Sequence, residues 1–159
     1  MKRLFIILIT VFLVSNCKGL PDIKSSDIDN ARTTLVEFLT LLNMEKFSEA
    51  VPLYGGEYDQ LQVFNPEIDP NNRIALWSWV CGNQLLQCLE VGEVSFMESK
   101  TDIFIFQVEF TNPDGSLFVL GPCCGASESE MPPVTQFEFR VKKTPAGKYL
   151  VMDTPPYVP

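Results

Sequence analysis

Histidine is missing from this chain altogether. With it goes the side chain that most often serves as general base near neutral pH and as metal ligand. A serine or cysteine nucleophile would have no imidazole to activate it. No two cysteines stand in Cys-x-x-Cys spacing, so the common zinc and dithiol redox patterns are absent too. Glycine is sparse, nine in 159 residues, and nowhere builds a phosphate-cradling loop. Positive charge is also short: 12 Lys and Arg against 20 Asp and Glu, a formal charge of −8. Beyond Lys2 and Arg3, the densest basic group is Arg140, Lys142 and Lys143, interrupted by Val141. Nucleic-acid binding needs a clustered basic face and is not expected. Nor is any metal or cofactor expected.

What is present begins with Met1 to Cys17. Lys2 and Arg3 are followed by the apolar stretch Leu4 to Val14, interrupted in polarity only by Thr10, and then by Ser15, Asn16 and Cys17. This is the order of a secretory signal. The apolar core falls short of the about 20 residues that span a bilayer. Val14-Ser15-Asn16-Cys17 resembles the lipobox of bacterial lipoproteins. That resemblance implies a signal over residues 1–16, lipidation of Cys17 as the mature N-terminus, and an exported domain anchored to a bacterial membrane. Loss of Lys2 and Arg3 with the signal takes the charge from −8 to −10. Such a domain is repelled by anionic lipid, so the membrane would hold it through the lipid alone.

Residues 17–25 read as the lipidated cysteine and a short polar tether with Gly19 and Pro21. The rest, 26–159, is the size of one domain. Ser26 is the expected cap of a first helix whose Ile28, Ala31, Leu35, Phe38, Leu39 and Leu42 share one face. Phe47, Ala50, Val51 and Tyr54 predict a short second helix near Pro52, stopped by Gly55-Gly56. Glu57 to Asp69 reads as irregular. Asp69-Pro70 signals the start of a third helix, with Ile74, Trp77, Val80 and Cys81 on one face.

After Cys88 the apolar period changes to two. Val94, Phe96 and Glu98 share a face, as do Phe104, Phe106, Val108 and Phe110, then Phe137, Phe139 and Val141. Asn112-Pro113-Asp114-Gly115 predicts a hairpin turn, with Ser116 to Leu120 returning along the strand. Pro145-Ala146-Gly147 predicts another before the last strand, and Thr154 to Pro159 an extended tail. The fold class is therefore α+β: N-terminal helices on a curved antiparallel sheet of four to five strands. From Asp29 onward this element order resembles the nuclear-transport-factor-2-like superfamily, the cystatin-like α+β cone. The resemblance implies a concave sheet face beneath the first helix.

Four cysteines follow Cys17. In an exported domain Cys81, Cys88, Cys123 and Cys124 are expected to be oxidised and structural. A Cys81–Cys88 bond closes a short local loop and is the favoured pairing. It leaves Cys123 and Cys124 as an adjacent pair, and the alternative joins each of them to Cys81 or Cys88. The aromatics Trp77, Phe104, Phe106, Phe137 and Phe139 either fill the core or line a pocket. Among the acids Glu98, Asp102, Glu109, Asp114 and Glu138, alternation makes Glu98 the candidate for an inward carboxylate. Such a group would have a raised pKa and could act as a base. The expected function is that of a tethered, non-catalytic domain binding a small apolar ligand or an envelope protein. The alternative is a cone-fold enzyme using an inward acid on a small organic substrate.

Overall fold

A computed structural model describes residues 24–158. The signal, Cys17 and nearly all of the tether lie outside the described residues. The elements run α1 (Ser25–Asn43), α2 (Phe47–Ala50), a 3-10 turn (Val51–Leu53), α3 (Asp59–Phe64) and α4 (Arg73–Gly82). Four strands follow: β1 (Glu90–Lys100), β2 (Ile103–Thr111), β3 (Phe137–Lys143) and β4 (Tyr149–Val151). They form one antiparallel sheet in the order β1-β2-β3-β4, open at both edges. The fold is α+β, with helices packed against the sheet. No described helix is long and apolar enough to cross a membrane.

Apolar period explains the packing. In α1 the three- and four-residue steps bury Ala31, Leu35, Phe38, Leu39 and Leu42. In β2 the two-residue step buries Phe104, Phe106, Val108 and Phe110 under that helix. Phe139, Val141 and Val151 extend the same face across β3 and β4. At one end Phe38, Tyr54 and Trp77 pack ring on ring, with centroids 5.1 to 5.6 Å apart. The Trp77 indole N–H donates to the Tyr58 hydroxyl, 3.4 Å, so this buried donor is satisfied.

Several local expectations are corrected. The first helix starts at Ser25, and Ser26 caps nothing. Asp27 instead ties its first turn to the sheet, accepting from Lys143 Nζ at 2.9 Å and Tyr149 Oη at 2.8 Å. Glu57 to Asp69 contains a helix, α3, which buries Leu61. Asp69 accepts from the Asn71 backbone in a turn, and Asn72 caps α4 by accepting from the Ala75 N–H at 3.2 Å. The inward face of α4 is accordingly Leu76, Trp77 and Val80, while Ile74 points outward. Ser116 to Leu120 forms no strand: a single bridge from Leu117 to Thr111 joins it to the sheet, and another from Leu120 to Val134 closes the following loop. The extended tail is itself anchored, since Tyr157 bridges Leu86 and its ring stacks on Phe64 at 5.1 Å.

Candidate functional site

The face beneath α1 is filled. Trp77, Phe104, Phe106 and Phe139 are buried in the core, and Phe137 is half-buried against Phe110 and Phe118. No polar or charged residue is buried among the described residues.

Glu98 does not join that face. Phe96 pairs with Phe106, but Glu98 pairs with Ile105, because the register shifts between them. Met97 is the extra residue of a β-bulge, and one extra residue turns everything after it to the other side. Glu98 therefore lies on the outer face, half exposed, bonded to Lys100 at 2.7 Å. The other acids also lie outside the core. Asp102 sits in the β1–β2 turn, and Asp114 accepts from Ser116 within its own turn. Glu109 accepts from the Gln136 amide at 2.9 Å, and Glu138 is exposed. The two bonds from Ser116 hold the Asp114 carboxyl below its usual pKa. Among the described residues, no three metal-ligating side chains converge.

The outer face of β3 and β4 carries a better-built feature. A cleft of 510 Å³ opens there between the sheet and the segment after α2, with Tyr54, Glu57, Gln60, Arg140, Lys142 and Asp153 among its walls. Phe139 and Val141 point inward, so alternation sends Arg140 and Lys142 outward. Asp153 fixes Arg140 at three points: its carboxylate accepts from the Arg140 backbone N–H at 2.6 Å, from Nε at 3.0 Å and from Nη2 at 2.5 Å. That pairing raises the pKa of the guanidinium further, so Arg140 is a permanent cation held in one orientation.

Gly55 and Gly56 close the cleft against β4. The Gly55 N–H donates to the Val151 carbonyl at 2.8 Å, and Tyr54 bridges Val151 in parallel. A Cβ on Gly56 would fall 2.4 Å from both the Met152 carbonyl and the Tyr54 hydroxyl. The glycine pair thus does more than stop a helix: it lets the chain lie flat on the sheet edge. Burial, and then the Tyr58, Asp153 and Glu57 oxygens nearby, push the Tyr54 phenol far above its usual pKa. It stays a neutral donor, bonded to the Glu57 carbonyl at 3.2 Å. Alternation in β3 could have flagged Arg140. The turn at Pro145-Ala146-Gly147, which sets Val141 opposite Val151, was the signal available for Asp153.

The cysteines divide into two pairs. Cys81 and Cys88 are disulfide-bonded, with Cα atoms 5.5 Å apart, as the short-loop expectation had it. Cys123 and Cys124 are bonded to neither of them, which sets aside the alternative pairing; their own sulfurs stand unjoined 2.7 Å apart. The chain matches no family model, and no curated protein shows significant similarity to it.

Proposed function

We propose that this is an exported domain, held at a bacterial membrane by lipid on Cys17, which binds an envelope protein through the outer face of its sheet and performs no catalysis. We read its α+β element order, helices first and antiparallel sheet after, as resembling that of the cone-type superfamily. One observation carries the binding reading: the Arg140 cation, fixed by Asp153, lies on the outer face of the sheet, while the space beneath α1 is packed with apolar side chains. A small apolar ligand is therefore the weaker partner, since Trp77, Phe104, Phe106 and Phe139 already occupy the place it would take. The outer face offers a preset cation at Arg140, a second at Lys142, and Ile103 and Met152 beside them. Fixed charge beside apolar surface suits a protein partner, because little side-chain freedom is lost on docking. A tether would raise the effective concentration of the domain at partners on the same surface.

The reading is tested in two steps. Mass spectrometry of the mature N-terminus is expected to show lipidated Cys17, and Cys17→Ser to leave the protein unprocessed or released. A photo-cross-linking residue at Gln60, beside the cleft, is expected to trap one defined envelope protein, and the adduct to vanish with Arg140→Ala. The same probe at Glu37, on the exposed side of α1, is expected to trap none. Equal adducts from both positions would remove the outer face as the binding surface.

A further inference from the structure

We propose that Cys123 and Cys124 form a dithiol–disulfide exchange site whose substrate is the disulfide of a small thiol or of another protein. Three observations carry this, none of which depends on where the protein resides. The sulfurs face each other at 2.7 Å. The backbone is already folded to hold them so: Cys124 has φ +60° and Gly125 φ +88°, and the Ala126 N–H donates to the Cys123 carbonyl at 3.0 Å. A non-glycine residue rarely adopts such a φ, and here a tight turn with two consecutive positive φ values imposes it. The loop is also fastened at both its base and its middle. Leu120 and Val134 exchange two backbone bonds, of 2.8 and 2.9 Å, and Glu130 accepts from the Ser127 N–H and Oγ.

The two thiols are not equivalent. Cys124 is exposed, while Cys123 is half-buried. The hydrogen bond with Cys124, and then desolvation, push the Cys123 thiol above its usual pKa. Cys124 is thus the attacking group and Cys123 the resolving one. The Cys124 thiolate, its proton lost to water, attacks one sulfur of R–S–S–R. A mixed disulfide Cys124–S–S–R forms, and R–S⁻ leaves and takes up a proton. Cys123 then gives up its proton and attacks the Cys124 sulfur. The Cys123–Cys124 bond forms, and the second R–S⁻ leaves to be protonated. The pair loses two electrons and two protons, and the substrate disulfide gains both. Adjacency makes the product easy to reduce again. Neighbouring Cα atoms are only about 3.8 Å apart, below the usual disulfide span, and a strained disulfide is readily reduced. Cys81 and Cys88, at 5.5 Å, have no such constraint.

The test is differential alkylation with peptide mapping of the full-length chain, equilibrated in glutathione buffers from fully reduced to fully oxidised. Mapping keeps Cys17 separate from the four domain cysteines. The Cys123–Cys124 peptide is expected to lose both alkylatable thiols reversibly as the buffer becomes oxidising, while Cys81–Cys88 stays bonded. Cys123→Ser should trap glutathione on Cys124. Cys124→Ser should slow the reaction of Cys123 with oxidised glutathione by tenfold or more. Two thiols that alkylate independently in every buffer would overturn the proposal, as would a bond that opens only on denaturation, or equal reaction rates for the two single variants.

Discussion

Replacing both Cys81 and Cys88 with alanine should lower the melting temperature by roughly 8 °C. Their bond spans seven residues in sequence, from the end of α4 to the approach of β1. In the folded protein that segment is also held by backbone bonds. Leu85 and Leu86 donate to the Val80 carbonyl at 3.1 and 3.2 Å, and Gln87 donates to Pro156 at 2.8 Å. The bond therefore acts mainly on the unfolded chain, where those contacts are gone. Chain-entropy reasoning for a loop this short gives about 2.4 kcal/mol. Unfolding a domain of about 135 residues carries about 2.1 cal/mol/K per residue, which turns that loss into roughly 8 °C. Both cysteines are only half-buried, so alanine adds little packing loss. The assay is thermal unfolding by circular dichroism, without reductant, on a parent shown by peptide mapping to hold the bond. A drop of less than about 2 °C, with the bond present in the parent, would refute the entropic account.

Three further outcomes are expected. Lys143 and Tyr149 donate to Asp27 and hold its carboxyl below the usual value, so its stabilising effect is full above the unfolded carboxylate pKa of about 4 and fades as pH falls through the lower folded value. Asp27→Asn should accordingly flatten the decline of urea midpoints as pH falls below about 4, and an unchanged slope would count against this pairing. Phe106→Ala should cost about 3–5 kcal/mol in urea unfolding, whereas Glu98→Gln should stay within about 0.5 kcal/mol, because one is core and the other is on the outer face. Gly56→Ala should cost about 1–3 kcal/mol by forcing Tyr54 and Met152 apart, while Gly82→Ala, with open space around its Cβ position, should be neutral or slightly stabilising in the same melts.

The elements that declared themselves in the sequence were those with a sustained apolar period. α1 shows five buried positions at helical steps, and β2 alternates without a fault, so each was legible on its own. α3 was not, because six residues with one buried leucine hold too little pattern to separate from a loop. The start of α4 was misplaced for a related reason. Asp69-Pro70 and Asn72 are both acceptable starts, and a turn at Asp69 leaves the cap to Asn72. Contacts between distant segments left no local trace: the Asp27–Lys143 pair joins residues 116 apart in sequence.

For the site, one residue decides the outcome. Alternation carried from Val94 through Phe96 puts Glu98 inside, where an acid would suggest catalysis. The bulge at Met97 reverses the parity, and Glu98 emerges beside Ile105, whose partner across β2 and β3 is Arg140. Periodicity has no means of announcing a bulge, since both readings are equally regular on either side of it. Once parity is reversed, the charges form a consistent set. Glu98 with Lys100, Arg140 with Asp153, and Lys142 all belong to the outer face, and the face toward α1 is apolar except at its edge, where Lys143 and Tyr149 meet Asp27. An acid beneath α1 would have called for a substrate able to reach the interior. Charges of both signs on the outer surface, one of them locked in place, are instead what the proposed docking of a partner from outside the sheet would use.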